Sequence, residues 1–403
     1  GLGNIWRFPY VAGEGGGGAF ILVYVLCIVV VGIPLIMAEL AIGRRGGHNA
    51  VRTMRIVTAE QGGSRFWHSF GWFAVVVPLL GLSYYSVVAG WSIDYLVNAA
   101  LGAFDGLSAE RSGAAFAGMT NSPLRVAATH AAFIVLTVFI VAAGVNAGLE
   151  KAVRFLMPAL GILVVFLVAY AAIAGDWSRA AAFLFEPDFT KLTGTTVLMA
   201  LGQAFFSLAV AAGLLVTYGA YLPQSVSIPR SAMVIGAGDT AIALLMGLAI
   251  FPLVFSFGLA PGEGPGLVFV TLPVAFGQMP AGLILGTLFF LLMLVAALTT
   301  SIGMLEPPVL WAIERFELSR KAATVLMGGA AWIIGLGAVF SFNLLADFSP
   351  LGFIALFTEK NIFDILDFAV ANLLLPVSGL VLALFAGWVL QAKNFREELH
   401  MAD

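Results

Sequence analysis

The sequence is built from a series of long apolar runs separated by short polar connections. A helix that crosses the hydrocarbon core of a bilayer needs roughly 20 apolar residues, and most of these runs reach that length. Of the 403 residues, 61% are hydrophobic and 10% are charged, whereas a soluble domain carries about 25% charged residues. The sequence therefore predicts an all-α polytopic membrane protein that is embedded in a lipid bilayer.

We predict ten spans, the first of which is represented only by its outer half. Most Lys and Arg residues fall in one of the two alternating sets of connections, and we assign that set to the cytoplasm because cytoplasmic loops are enriched in these residues. The one cysteine, Cys27, lies within a span, so no disulfide forms within this chain. The predicted spans are residues 1–12, 18–43, 70–101, 124–146, 151–175, 195–221, 230–257, 281–314, 319–342 and 361–391.

Two of the outward connections are longer than the others. Residues 176–194 are polar and are predicted to form a loop just before the sixth span. Residues 258–280 begin with a Gly- and Pro-rich segment and then become apolar, which favours a short helical hairpin that dips toward the centre of the protein. A plain surface loop is the alternative for this second connection.

Two spans carry features that interrupt a helix. Small residues dominate Gln203–Gly213 in the middle of the sixth span, and Gly1–Pro9 contains two glycines, Asn, Arg and Pro. Backbone that leaves the helix is tolerated in a membrane only where a ligand, water or protein satisfies it. Because the two interrupted spans lie five apart, we predict one transmembrane domain, 1–403, made of two inverted five-helix repeats at 1–175 and 195–391.

Five short motifs identify a family. They are Gly1–Pro9, Gly16–Phe20, Gly32–Leu35, Gln203–Leu208 and Thr299–Ser301. Together they make the chain resemble the neurotransmitter:sodium symporters, and in particular a bacterial amino acid:sodium symporter. Members of that family have eleven or twelve spans. The resemblance therefore predicts that this sequence is a fragment that lacks the inner half of the first span and anything after the tenth.

The resemblance implies a first sodium site at Asn4, Ser207 and Asp239. Sodium prefers oxygen ligands, and all three side chains carry oxygen. Asn4 could instead cap a half-helix, and Ser207 could bond to its own backbone. A carboxylate such as Asp239 inside a span is expected to be functional, although it could also extend toward the membrane surface.

The resemblance implies a second sodium site at Ala296, Thr299 and Thr300, which are one helical turn apart on one side of the eighth span. This site would use two hydroxyls and a carbonyl. The alternative is that the two threonines bond only to the preceding turn of their own helix. We expect two sodium ions in all.

Chloride-dependent relatives hold an anion with a tyrosine, a glutamine and serines. Tyr24, Gln203 and Ser207 match part of that pocket, but Ala243 replaces a further serine. A fixed carboxylate at Asp239 would supply the negative charge that chloride supplies elsewhere. The resemblance therefore implies chloride-independent transport.

For the substrate, Tyr85 matches a tyrosine that meets the substrate carboxylate, and Phe206 would lie over the substrate as a lid. Tyr85 could instead be a packing residue. Gly1 replaces the aspartate of monoamine carriers, which implies an amino acid substrate with its own carboxylate. Small pocket residues and the absence of a buried charge favour a bulky, neutral, aromatic or branched side chain. The implied substrate-binding residues are Leu2, Gly3, Gly81, Tyr85, Phe206, Ser207, Ala209, Ala212, Thr300 and Met304.

Two gates are implied by the same resemblance. Arg7 and Asp367 match an outer pair, for which an Arg is suited because its guanidinium grips a carboxylate through two bonds; two unrelated surface charges are the alternative. Tyr221 and Glu314 match an inner gate whose arginine would precede Gly1. Glu39 looks buried, and we predict a structural hydrogen-bonding role for it.

The function that follows is sodium-coupled symport of a neutral amino acid by alternating access, in the inner membrane of a bacterium. No phosphate-cradling loop is present, which argues against an ATP-driven pump. The four histidines form no HExxH motif, and Asp239 stands alone in its span, so an intramembrane protease is disfavoured. A non-transporting amino acid sensor on the same fold, or a symporter of another small zwitterion, remains open. Neither nucleic acid nor an obligatory protein partner is expected.

Overall fold

The computed structural model describes residues 1–144, 148, 150–258, 267–354, 357–358 and 360–399. These residues form helices joined by turns and short loops. Eight of the described helices are long and apolar enough to cross a membrane, and each matches a predicted span to within a few residues. They are Gly18–Gly46, Arg65–Ala100, Pro123–Ala142, Lys151–Ala174, Ile228–Ser256, Gly282–Phe316, Arg320–Phe340 and Ile362–Val389.

The first and sixth spans are built from shorter pieces. The described part of the first span is a π-helical turn, Gly3–Arg7, that continues into the helix Phe8–Glu14. The sixth span consists of the helices Gly194–Leu208 and Leu214–Ala220, with a non-helical segment between them. The predicted interruption of the sixth span is therefore present, and it falls within the stretch of small residues.

The break in the sixth span is held open by specific contacts. Ala209 and Ala211 have φ angles of 52° and 63°, and a non-glycine residue in this left-handed region costs on the order of 1–3 kcal/mol. The surrounding structure offsets that cost. The Ala211 amide donates to the buried Glu39 carboxylate, and the Ala211 carbonyl accepts from Ser378 Oγ at 2.6 Å. Gly213 has a φ of 78°, and a Cβ there would lie 2.1 Å from Ala74 Cβ, so only glycine fits.

The core of the protein lies between the third and eighth spans, which pack along each other. The third span is the most buried of the eight long helices. Trp91 on the third span packs edge-on against Phe269, with ring centroids 5.5 Å apart, and Phe290 on the eighth span packs against Phe269 and Tyr95. This aromatic cluster anchors the scaffold against which the broken spans rest.

The two long connections differ in part from the sequence prediction. Residues 176–194 are not simply a polar loop, because they contain the helix Trp177–Phe185, whose first turn is capped by Asp176. In the second connection, Leu267–Gln278 is a buried apolar helical segment, as a hairpin arm would be. The Gly- and Pro-rich arm at 259–266 lies outside the described residues.

Candidate functional site

A cavity of about 200 Å³ lies beside the break in the sixth span. Its walls come from the first, third, sixth, eighth and tenth spans. Eight of the ten predicted substrate-binding residues line it. These are Gly3, Tyr85, Phe206, Ser207, Ala209, Ala212, Thr300 and Met304.

Leu2 and Gly81, which are also predicted to bind the substrate, are not among the residues that line the cavity. The Leu2 side chain is fully buried in the hydrophobic core that surrounds the third and eighth spans. Gly81 lies behind Met304, because a Cβ built on Gly81 would approach Met304 Cε to 2.9 Å. Both residues therefore shape the cavity from behind its wall.

Several wall residues were missed by sequence reasoning. Some of them could have been found from helical spacing, because Val77 lies two turns before Tyr85 on the third span and Gly303 lies one turn after Thr300 on the eighth. Pro78 follows Val77 on the third span, and Leu208 ends the outer helix of the sixth span within the motif Gln203–Leu208. The others come from the inner half of the sixth span and from the tenth span, which no motif singled out. The missed residues are Val77, Pro78, Leu208, Leu214, Leu215, Tyr218, Gly303, Val370 and Leu375.

The three side chains predicted for the first sodium site lie together around one carboxylate. Asn4 Nδ2 donates to Asp239 Oδ1 at 2.7 Å and to the Asp239 carbonyl at 3.1 Å. The Tyr24 hydroxyl donates to Asp239 Oδ2 at 3.1 Å and lies 3.2 Å from Ser207 Oγ. Asn4 Oδ1 is buried and accepts no hydrogen bond from any described residue. A buried acceptor without a donor is costly, and a cation would satisfy it.

Gln203, the third residue that matches the anion pocket, is already hydrogen-bonded through both atoms of its side-chain amide. Gln203 Nε2 donates to the Gly3 carbonyl at 2.8 Å, and Gln203 Oε1 accepts from Arg7 at 3.2 Å. The Gln203 amide therefore joins the first span to the outer half of the sixth. Together with the Tyr24 bond to Asp239, this leaves the cluster organised around a carboxylate.

The residues predicted for the second sodium site are also adjacent. The hydroxyls of Thr299 and Thr300 both donate to the Ala296 carbonyl, at 2.8 and 3.3 Å. These are the bonds to the preceding turn that the alternative interpretation describes. Thr300 also borders the first span, because a Cβ on Gly1 would lie 1.9 Å from Thr300 Oγ1. Three oxygens are thus gathered beside the first residues of the chain.

Tyr85 contributes a phenol hydroxyl to this region. The hydroxyl donates to the Ala297 carbonyl at 3.4 Å, which is a long and weak hydrogen bond. It is therefore available for a stronger acceptor in the cavity, such as a carboxylate.

Comparison with known proteins supports the resemblance to the sodium symporters. The family profile described as "Sodium:neurotransmitter symporter family" matches residues 1–105 and 107–398. The chain belongs to the sodium:neurotransmitter symporter family. It is 40% identical over 385 residues to the sodium-dependent transporter YhdH of Bacillus subtilis, covering 96% of this chain and 83% of that protein. A sodium-dependent transporter of Haemophilus influenzae is 33% identical over 404 residues, covering 98% of this chain and 87% of that protein.

A solved structure is also similar over the full chain. The crystal structure of MhsT in complex with L-phenylalanine superposes with a TM-score of 0.91 at 38% identity, covering 100% of this chain and 89% of that one. The all-helical polytopic fold class is thereby confirmed. As a member of this family, the protein is a sodium-dependent membrane transporter.

Of the two residues predicted for the outer gate, Arg7 contacts the sixth span. Its guanidinium lies over the Phe206 ring, 4.8 Å from the centroid, and it donates to Gln203. Arg7 and Asp367 form no direct ion pair within 4.0 Å, although Asp367 lies near enough to interact favourably with the Arg7 charge. Arg7 therefore joins the first span to Phe206 and Gln203 of the sixth span more directly than to the tenth span.

The two residues predicted for the inner gate, Tyr221 and Glu314, have separate partners in the structure. The Tyr221 hydroxyl donates to Glu306 Oε1 at 2.8 Å, and the buried Glu306 carboxylate is also held by Arg320, whose Nη1 donates at 3.0 Å. Glu314 is elsewhere, since it accepts from the Asn49 amide and from Asn49 Nδ2, both at 2.8 Å. The structure thus does not bring Tyr221 and Glu314 together. A carboxylate in an apolar helix was the sequence signal for Glu306.

Proposed function

We propose that this transporter is a sodium-coupled symporter of a neutral amino acid with a bulky hydrophobic side chain, aromatic or branched aliphatic. It moves the substrate inward by alternating access, with two sodium ions and without chloride, across the inner membrane of a bacterium. The observation that carries the proposal is the cavity itself. None of the described residues that line it carries a charged side chain, and most of its walls are apolar.

The groups around the cavity suit the carboxylate and the side chain of a free amino acid. The Tyr85 and Thr300 hydroxyls border the cavity and can bind a carboxylate. Gly1 leaves no room for the aspartate that monoamine carriers use, because even a Cβ would meet Thr300 Oγ1 at 1.9 Å. The apolar wall formed by Ala212, Met304 and Val370 is left for the side chain. MhsT, whose structure contains L-phenylalanine, supports an aromatic substrate.

Sodium would act as a co-substrate at the two oxygen clusters. Asn4 Oδ1 is the buried acceptor that an ion at the first cluster would use, with Ser207 and Asp239 beside it. The Ala296 carbonyl and the two threonine hydroxyls would contribute to the second. Because both clusters border the cavity, bound sodium would organise the same backbone that binds the substrate.

The direct test is uptake by the purified protein in proteoliposomes. An inward sodium gradient should drive accumulation of one or more of phenylalanine, tryptophan, leucine and isoleucine, and a competition screen of the twenty amino acids should rank them. Replacement of external sodium by choline should abolish uptake, whereas replacement of chloride by gluconate should leave it unchanged. Sodium-dependent binding without uptake would instead support the sensor, and inhibition only by other zwitterions would overturn the substrate class.

A further inference from the structure

A second cavity, of about 260 Å³, lies between the start of the third span and the end of the eighth. Its remaining wall is the helix Ala50–Glu60, which belongs to the connection between the second and third spans. The two cavities share no lining residue. We call this second one the arginine cavity, because three of the residues around it are arginines. It is lined by Asn49, Val51, Arg52, Arg55, Trp72, Trp311, Glu314 and Arg315.

The positive charge of the arginine cavity is only partly neutralised. The Glu314 carboxylate accepts hydrogen bonds from the backbone amide and the side chain of Asn49, both at 2.8 Å, and lies 3.6 Å from Arg52 Nη1. Arg55 and Arg315 form no ion pair with any residue that the structure describes. Two exposed guanidinium groups in the wall of one cavity are therefore left without a described carboxylate partner.

The guanidinium groups, rather than backbone amides, are the donors that this cavity offers. The amides of Val51 and Arg52, in the first turn of the connecting helix, already donate to Asn49 Oδ1 at 3.0 and 3.1 Å. A guanidinium presents a planar fork of N–H groups that fits the oxygens of an anion, and phosphate is one of its preferred partners. The arginine cavity is therefore suited to a ligand that carries a phosphate group.

The aromatic residues of the cavity favour a lipid as the carrier of that phosphate. Trp72 is 44% exposed, and Val76, one turn further along the third span, is 43% exposed, so this face of the span lies against lipid. Trp72 packs edge-on against Trp311, with ring centroids 5.8 Å apart, and tryptophans are enriched at the depth of the lipid headgroups. Basic pockets between spans at this depth bind anionic headgroups.

We propose that the arginine cavity binds the phosphate group of an anionic phospholipid. Arg55 and Arg315 bind the phosphate oxygens, and Trp72 lies between the headgroup and the acyl chains. Arg55 belongs to the connecting helix and Arg315 to the eighth span, so a bound headgroup joins these two elements and stabilises the folded protein. The inference is independent of the substrate that the protein transports.

The test measures the melting temperature of the purified protein in detergent micelles as phospholipid is added. Phosphatidylglycerol should raise the Tm saturably, and phosphatidylcholine should raise it less, because its choline balances the phosphate charge. An arginine near an anionic lipid contributes roughly a fivefold factor in affinity. The double variant Arg55→Gln with Arg315→Gln should therefore need about 25-fold more phosphatidylglycerol for the half-maximal shift. Native mass spectrometry should show fewer phosphatidylglycerol molecules bound to it.

Two further variants separate a site from a general effect of positive charge. Arg65→Gln is the matched control, since Arg65 is an exposed arginine at the start of the third span that does not line the cavity. It should keep the wild-type dependence on phosphatidylglycerol. Arg55→Lys with Arg315→Lys retains the charge but loses the planar fork, so its affinity should fall between those of the wild type and the double glutamine variant.

The outcomes distinguish the source of the phosphate. Potassium phosphate at matched ionic strength should not reproduce the effect of phosphatidylglycerol. If it does, and the double glutamine variant loses that effect, the cavity takes a soluble phosphate and the lipid assignment is overturned. If phosphatidylglycerol stabilises the wild type and the double glutamine variant equally, or if Arg65→Gln weakens its effect as strongly, the site itself is overturned.

Discussion

The first sodium cluster makes a quantitative prediction for the Asp239→Asn variant. Asp239 accepts hydrogen bonds from Asn4 at 2.7 Å and from Tyr24 at 3.1 Å. The amide keeps the shape of the side chain but removes its charge and replaces one acceptor oxygen with a donor. An ion bound at Asn4 Oδ1 would lie roughly 4 Å from the carboxylate, where an opposite charge contributes about 4 kcal/mol at an effective dielectric constant of 20.

That figure is an upper limit, because the amide oxygen retains part of the attraction. A loss of about 2–4 kcal/mol corresponds to roughly a 30- to 1000-fold weaker interaction, at about 1.4 kcal/mol for each factor of ten. We therefore expect the sodium concentration for half-maximal uptake to rise by about that factor in Asp239→Asn. The assay is initial uptake rate in proteoliposomes against external sodium, with choline maintaining the ionic strength.

The charge argument also predicts a gain of function. Combining Asp239→Asn with Ala243→Ser removes the fixed charge and restores a hydroxyl in the same span, so chloride should then raise the uptake rate of the variant. Wild-type uptake should be indifferent to a change from chloride to gluconate. If the sodium dependence of Asp239→Asn matched that of the wild type, the assignment of the carboxylate to the ion site would be refuted.

Three other predictions follow from single contacts. Thr299→Val removes a hydroxyl from the second cluster and should weaken sodium activation of uptake about 10-fold or more, as loss of a charged hydrogen bond of about 1.5–3 kcal/mol implies. The control is Thr287→Val, since Thr287 is a half-buried threonine on the same helix, outside the cavity, whose hydroxyl bonds to the preceding turn; this variant should not weaken sodium activation. Glu306→Gln leaves the partly exposed Arg320 unpaired and should lower the free energy of unfolding by about 1–3 kcal/mol. Thermal unfolding measures this loss of stability. The double variant Glu306→Gln with Arg320→Gln tests the pairing: if the effects of the two single substitutions on the free energy of unfolding simply add, the pairing is contradicted. Glu39→Leu removes the acceptor that holds the Ala211 amide and should destabilise the folded protein by about 1–3 kcal/mol, whereas an unchanged melting temperature would contradict that role.

The sequence was sufficient to predict the spans because span length is a local property. A run of apolar residues becomes a membrane helix almost regardless of its neighbours, and the predicted boundaries agree with the helices to within a few residues. The region of the break was also predictable, since small residues release the backbone. Which residue adopts the left-handed conformation depended on the distant Glu39 and Ser378, which bond to Ala211 from two other spans.

The hydrogen-bond partners of Glu306 and Glu314 could not be predicted from sequence motifs. Glu306 and Glu314 lie on one helix about 12 Å apart, at 1.5 Å per residue. Both are carboxylates on the same span, so residue type alone could not tell which partners each of them would have. Packing of the sixth and ninth spans brings Tyr221 and Arg320 to Glu306, whereas Asn49 from the connection between the second and third spans reaches Glu314.

The sequence by itself determined that this chain is a helical membrane transporter, where its sixth span breaks, and which oxygen-bearing side chains stand near that break. These features depend on the length of apolar runs and on residue chemistry, which are properties of each stretch of the sequence taken by itself. Only the tertiary structure decided that Leu2 and Gly81 stand behind the cavity wall, that Asp239 is bonded to Asn4 and Tyr24, and which carboxylate Tyr221 meets. Those outcomes depend on how helices far apart in the chain pack, because a shift of a few ångströms between two spans changes every side-chain contact between them.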